Sequence, residues 1–311
     1  MQTNDFKNEL NSRIEKTESV LKSNLPDKDK YSDTVREAME YSVMVGGKRL
    51  RPILMQAAYE LFSNDNSGTI GYSLGLFMSA LEYIHTYSLV HDDLPAMDND
   101  ETRRDKPTTW KVYGDGMGVL AGDALLNYAF EITGKATLGA FEKGDVKIAE
   151  RCARAASVLS DKAGINGMIG GQCADLSAEG RGSEVTMEEL LYIHEHKTGC
   201  LIEAALMIGG ILGGAEKEDI DKLEKIGSDI GIAFQIRDDI LDVIGTTEEL
   251  GKTVGSDEAN GKTTYVTLNG LERSQEDVEK LSREALELIE ELPGDKGFLT
   301  ELTKMLIGRT K

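Results

Sequence analysis

Several things are scarce in this sequence. There are only three cysteines among 311 residues: Cys152, Cys173 and Cys200. They are far apart, odd in number and without CxxC spacing, which sets aside a disulfide framework or a zinc site and points to reduced thiols. Five prolines leave long stretches free to wind as helix. The N-terminal "MQTNDFKNELNSRIEK" has no apolar core of a signal peptide, and no run reaches the roughly 18 apolar residues of a membrane span. The expectation is a soluble, cytoplasmic chain. Positive charge is scarce too: 35 Lys and Arg against 55 Asp and Glu give a net charge of −20. That balance disfavours nucleic acid and anionic membrane as partners. Alternating β-branched runs, fixed-period repeats and linkers long enough to separate domains are all missing.

What is present is helical periodicity. Apolar residues recur at helical spacing in Phe6, Leu10 and Ile14, in Tyr41 and Val45, in Leu74, Phe77, Met78 and Leu81, and in Val278, Leu281, Ala285 and Leu288. Breaks fall at "SNLPDKDKYSD", "FSNDNSGT", residues 95–117, "SAEGRGSEVT", "GGAEKED", residues 245–264 and "LPGDKG". Thr186 before "MEELL", with Glu189 three residues on, reads as a capping box. The chain therefore reads as one all-α domain, residues 1–311, a bundle of about ten or more helices. Segments 72–94 and 217–244 are apolar on most faces, which makes them central.

Two groups of acids sit where that apolar background should exclude them. Asp238, Asp239 and Asp242 stand in "AFQIRDDILDVIG" among Ile236, Ile240, Leu241 and Val243. On a helix, i and i+4 share a face about 6 Å apart, so Asp238 and Asp242 point the same way and Asp239 flanks them. Carboxylates so placed stay ionised only if a cation neutralises them. An acidic cluster is usually a solvated face, but these neighbours are too apolar for that. The second group lies in "HDDLPAMDNDETRR", His91 to Arg104. Pro95 cannot donate to the carbonyl of His91, so the helix should end or kink there and let Asp98 return beside Asp92. Oxygen ligands alone suit a hard cation, and Mg²⁺ takes few carboxylates and completes its shell with water and phosphate oxygens. An EF-hand is excluded because its sixth loop position would be Arg103 instead of glycine.

Cations converge on the same blocks: Arg103 and Arg104, then Lys48, Arg49 and Arg51 in "GGKRLRP", Lys197 in "HEHKTG", and Lys252 and Lys262 in "LGKTVGSDEANGKTTY". All are expected at helix ends or turns. Each alone is an ordinary surface cation; together, in a chain this acidic, they fit a bound diphosphate. The "GKTVG" stretch lacks Walker spacing, and "KTG" with "SVLK" mimics serine β-lactamase motifs without the third element.

The blocks "GGKRLRP", "HTYSLVHDDLPAMDND", "RRDKPT", "GGQCADL", "HKTG", "FQIRDDILD" and "GKTVGSD" resemble, in that order, the signatures of short-chain trans-prenyl diphosphate synthases over about residues 35–265. The resemblance implies an all-α bundle around a deep central cavity, working as a homodimer on isoprenoid diphosphates. It implies three Mg²⁺, with Mn²⁺ as substitute, held by Asp92, Asp98 and Asp238, while Asp93, Asp239 and Asp242 act through water or from behind. Arg103, Lys197, Thr198, Gln235 and Lys252 correspond to contacts of the allylic diphosphate, with Lys262 a weaker candidate. Gly47, Lys48, Arg51, His85 and Arg104 correspond to the isopentenyl diphosphate pocket. Catalysis falls to Asp92, Asp98, Arg103, Lys197, Asp238 and Lys252; His91 reads as structural. Two departures stand out, Asp105 where glycine is usual and Val266 where proline is usual.

The implied reaction ionises an allylic diphosphate, adds the isopentenyl double bond to the cation and loses a proton, which in the family the departing diphosphate is thought to take. The growing chain would run along the 72–94 helix past Tyr87 and Ser88, five and four residues before Asp92. An aromatic at Tyr87 goes with farnesyl diphosphate, the C15 product, in the resembling family. Geranylgeranyl diphosphate, the C20 product, is the alternative. A terpene cyclase would carry a hydroxyl and Glu pattern in place of "DDILD", and a non-catalytic subunit would lack one aspartate motif.

Overall fold

The computed structural model describes residues 3–63, 68–244 and 263–308. The chain is all-α, and its contacts divide it into two compact units, Gln2–Gln56 with Ser63–Ser157 and Ala57–Phe62 with Val158–Lys311. The first unit contains α1 (Thr3–Ser23), α2 (Asp33–Met44), the start of α3 (Leu50–Phe62) and α4 (Gly68–Asp92). A short hairpin of β1 (Thr102–Arg103) and β2 (Lys106–Pro107) follows, then α5 (Thr109–Tyr113), α6 (Asp115–Glu142) and most of α7 (Val146–Ala163). The second unit contains α8 (Met168–Ala178), α9 (Met187–Ile193), a π-helical turn His194–Gly199, α10 (Cys200–Gly213) and α11 (Lys217–Ile244). It ends with α12 (Tyr265–Asn269), α13 (Leu271–Glu291) and α14 (Gly297–Ile307). Among the described residues, no helix is long and apolar enough to cross a membrane.

In the first unit α4 is the centre, as its composition required. Of its 25 residues 15 are buried, too many for one face, so it is packed all round, chiefly by α6. Phe77, Leu81 and Ile84 are fully buried, and each such side chain contributes about 1.5–3 kcal/mol. The buried polar groups of this helix are satisfied locally. Ser73 donates to Thr69 O, Thr86 to Glu82 O, and the Tyr83 hydroxyl to Leu21 O on α1 at 2.7 Å.

In the second unit α11 matches the apolar 217–244 segment and packs on α10 and α13. A Cβ at Gly231 would stand 2.5 Å from the Gly199 Cα, so α11 and the π-helical turn meet backbone to backbone. The capping box at Thr186 is present: Glu189 N donates to Thr186 Oγ1 at 3.2 Å, and Thr186 N to Glu189 Oε2 at 2.9 Å. Lys162 at the end of α7 bonds Glu203 on α10 and Glu224 on α11, tying three helices together.

The hairpin inside residues 95–117 has no counterpart in the sequence reading, because strands of two residues carry no alternation to read. Arg103 pairs with Lys106 and Thr102 with Pro107, leaving Arg104 and Asp105 as the loop. Both are left-handed, at φ 54 and 60. That is the geometry of a type I′ turn, which favours glycine at its second position. Asp105→Gly should remove a left-handed side chain and raise stability by up to about 1 kcal/mol, roughly 1–2 °C in a thermal melt; an unchanged or lower melting temperature would contradict this.

Candidate active site

The first aspartate motif is built by the way α4 ends. With Pro95 in place, the His91 carbonyl accepts from Leu94 N instead, at 3.2 Å. The chain then doubles back, and Asp98 N donates to the Asp92 carbonyl at 2.9 Å. The return of Asp98 to Asp92 is thus fixed by the backbone. Asp92 is half-buried and Asp98 exposed. Asp93 faces inward and takes Arg103, whose Nε and Nη2 donate to Asp93 Oδ1 at 2.8 and 2.6 Å. Burial pulls the Arg103 guanidinium down, but the Asp93 bonds and the charges of Asp100 and Asp92 outweigh it and hold Arg103 above its ordinary value. His91 is taken up by α6: its Nε2 lies 3.1 Å from the Val119 carbonyl, and Tyr87 packs edge-on against its ring, centroids 5.8 Å apart.

Arginines gather beside this motif. Arg104 donates to the Gly46 carbonyl, and its guanidinium lies so near Gly47 (φ 138) that a Cβ there would be 2.7 Å away. Arg51 is half-buried on α3, and burial lowers it, with Glu82 pushing back and Arg104 adding to the fall. His85 is held well below its ordinary value, first by burial and then by Arg51, Arg104, Arg103 and Arg49, so it is neutral at physiological pH. Of the five residues assigned to the isopentenyl pocket, Gly47, Arg51, His85 and Arg104 are thereby brought into one electrostatic neighbourhood, while Lys48 stands exposed on the same turn. Arg49, adjacent to them in sequence, is instead buried in a salt bridge.

The second aspartate motif stands on α11. Its approach to the π-helical turn at Gly231 is followed at i+4, i+7 and i+11 by Gln235, Asp238 and Asp242. The Thr198 hydroxyl donates to Gln235 Oε1 at 2.6 Å, so two expected allylic contacts touch. Asp239 is committed elsewhere: its Oδ2 accepts Tyr265 N at 2.7 Å and stands 3.8 Å from His194 Nε2. That is a supporting role and matches its expected place behind the ligands. Lys197 was expected at a helix end or turn of ordinary kind; it lies instead inside a continuous helical run, in the π-helical turn, where Cys200 N donates back to Glu195 O. A π turn widens the helix by one residue and commonly marks a functional position.

The block "GGQCADL" carries no assigned site residue in the sequence reading. In the structure Asp175 Oδ2 accepts Lys197 Nζ at 2.5 Å. Gly171, one turn before Asp175, is what lets α8 come so close, since a Cβ there would be 2.1 Å from Lys197 N. The i, i+4 spacing of Gly171 and Asp175 was the available signal. Lys252 and Lys262 lie outside the described residues.

Among the described residues no three of His, Cys, Asp or Glu converge to hold a metal by themselves. The donors present are carboxylate oxygens in small sets, Asp92 with Asp98 and Asp238 with Asp242. Such sets fit an ion like Mg²⁺ that leaves most of its shell to water and phosphate.

A model of the polyprenyl synthetase family matches residues 32–300. The chain belongs to that family. It is 48% identical over 264 residues to putative geranylgeranyl pyrophosphate synthase 8 of Arabidopsis thaliana, covering 85% of this chain and 70% of the relative. It is 44% identical over 293 residues to geranylgeranyl pyrophosphate synthase 11 of the same plant, covering 94% and 78%. Among solved structures, an FPP/GFPP synthase from Zymomonas mobilis matches with a TM-score of 0.82 at 31% identity, over 98% of this chain and all of that one. A Helicobacter pylori geranyltransferase, solved with magnesium and isoprenyl diphosphate, matches with a TM-score of 0.81 at 32% identity, over 99% and 98%. The protein is a prenyltransferase of the trans-prenyl diphosphate synthase type.

Two outcomes are expected. Gly171→Ala should displace Lys197 by tenths of an ångström or more and lower kcat/KM by about 10², measured by product formation; full activity would mean the α8 contact does not position Lys197. His85 is neutral when folded and takes a proton when unfolded below about pH 6.5, so the unfolded state binds more protons there and stability should fall as pH drops through that value. Urea unfolding of His85→Gln between pH 5 and 8 should lack that share of the slope.

Proposed function

We propose that the chain condenses isopentenyl diphosphate with an allylic diphosphate and releases geranylgeranyl diphosphate. One observation carries the reaction class: each aspartate motif closes an apolar helix beside ordered polar groups, Arg103 at the first and Thr198 with Gln235 at the second. Mg²⁺, proposed at Asp92 and Asp98 of the first motif and Asp238 of the second, would supply positive charge to the leaving diphosphate. The solved relative described with magnesium and isoprenyl diphosphate supports that reading.

In this scheme Arg103 and Lys197 stand where negative charge grows as the allylic C–O bond breaks. Losing one such donor costs about 10²–10³ in rate. Lys197 must leave Asp175 to reach the diphosphate, and Asp175 then serves as its seat between turnovers. Lys252 keeps its proposed share of the same diphosphate. Gly47, Lys48, Arg51, His85 and Arg104 take the isopentenyl diphosphate. A neutral His85 donates or accepts there without adding charge. Apolar residues of α4 line the helix behind the motif and offer the cation no nucleophile. The proton lost in the last step goes to the departing diphosphate, which fits the lack of a well-placed base. A cytosolic homodimer is the proposed form; the plant relatives named above are described as chloroplastic or putative, and another as the large subunit of a heterodimer.

The names of the curated relatives favour the C20 product over the C15 product that the aromatic at position 87 led us to expect. A second reading, farnesyl diphosphate, keeps one observation in its favour: Tyr87 is 6% exposed, five residues before Asp92, its hydroxyl pushed up to about 12 by burial and by Asp92. Ser88 contributes less to a floor, because its hydroxyl turns back to the His85 carbonyl. Incubation with labelled isopentenyl diphosphate and dimethylallyl or geranyl diphosphate decides between them. A dominant C20 product formed with Mg²⁺ and abolished by EDTA is expected. A dominant C15 product that Tyr87→Ala lengthens would establish the second reading instead, and activity undiminished by EDTA would remove the metal from the scheme.

A further inference from the structure

The arginine cluster contains a buried pair that the reaction scheme does not use. Arg49 and Glu82 have side chains only 1% and 4% exposed, and Arg49 Nη1 donates to Glu82 Oε1 at 3.0 Å. Arg49 Nη2 donates to the Val43 carbonyl at 2.6 Å, and its Nε lies 3.6 Å from Glu18 Oε1 on α1. The residue itself is left-handed, at φ 51. One side chain thus ties the first residues of α3 back to the end of α2 and across to the middle of α4. Between Val43 and Arg49 lie Gly46 and Gly47, the segment against which Arg104 rests.

We propose that Arg49 and Glu82 are a positioning pair that fixes the 46–51 turn, and with it Arg51 and Lys48, for a diphosphate. The proposal rests on the reading of this neighbourhood as the isopentenyl diphosphate pocket. Two arguments carry it. The first is geometric. A non-glycine residue avoids the left-handed region unless its surroundings hold it there, and here three acceptors on three helices surround one guanidinium. The second is electrostatic. Four arginines, 49, 51, 103 and 104, act on His85. Arg49 is matched by Glu82 and Arg103 by Asp93, which leaves two guanidiniums for a ligand of two or more negative charges. Without Glu82 the cluster would carry a third uncompensated charge, and its members would move apart.

A pair serving stability alone would behave differently, because a buried ion pair exchanged as a whole for apolar residues usually leaves stability unchanged or higher. Calorimetric titration of isopentenyl diphosphate in EDTA, where metal-dependent binding is suppressed, separates the cases. Glu82→Gln and the double variant Arg49→Met/Glu82→Leu should both bind at least tenfold more weakly than wild type. In turnover, KM for isopentenyl diphosphate should rise by a similar factor, while kcat and KM for the allylic substrate stay within about threefold. The double variant should melt close to wild type, so it remains informative if Glu82→Gln does not fold. A folded double variant with wild-type affinity would overturn the proposal, as would one that melts far below wild type, which would make the pair a structural brace. A wild-type chain that binds isopentenyl diphosphate but forms no product would refute the proposed reaction and leave this comparison intact. Failure of the wild type to bind would overturn the pair's role too.

Discussion

Ion pairing between groups that apolar helices would otherwise reject is the interaction on which this chain's site depends. Asp93 with Arg103, Glu82 with Arg49, Asp175 with Lys197 and Glu203 with Lys162 all join residues distant in sequence, and in each pair at least one member is well buried. Such pairs add little net stability, since desolvation consumes most of the Coulomb gain. What they do add is definition. A guanidinium with two acceptors has one orientation, and the residues next to it inherit that orientation. The net charge of −20 makes the effect sharper, because each cation drawn inward is held against an acidic background.

Close backbone contacts do the complementary work. Ion pairs orient side chains, but they reach the right place only if the helices bearing them approach closely. At Gly171 and Gly231 the missing side chain sets the distance between α8, the π-helical turn and α11. Lys197, Thr198, Gln235 and Asp238 are therefore placed by two absences of a Cβ as much as by any attraction. The same logic explains the supporting aspartates. Asp93 and Asp239 stand next to residues proposed for metal, yet their oxygens are engaged by Arg103 and by Tyr265 N, so contact with a ligand falls to the acids that flank them.

Much of this was legible in the sequence where one local rule decides the outcome. The helices α4 and α11 announced themselves by apolar residues on more than one face, Thr186 by its partner Glu189, and the return of Asp98 by Pro95. Elsewhere local rules had nothing to act on. The hairpin rests on four residues without a period. The π-helical turn has the composition of any helix and is visible only in its hydrogen bonds. Asp175 and Glu82 gain meaning from partners 22 and 33 residues away, and no spacing rule links such positions. Product length escaped for a different reason: a buried Tyr87 serves core packing and a cavity floor equally well, and composition alone does not separate the two.

The π-helical turn has a consequence for how this segment tolerates change. From the cap at Thr186 to the last residue of α10 at Gly213 the chain winds without interruption, with one widened turn in its middle. Deleting any residue from 194–199 would let that turn relax to ordinary pitch and swing everything after it by about 100° about the axis. Gly199 would no longer face Gly231, and Glu203 would rotate away from Lys162. The length of this stretch is therefore a phase setting: substitutions within it alter chemistry one residue at a time, whereas a single-codon loss would turn a whole helix face away from its partners.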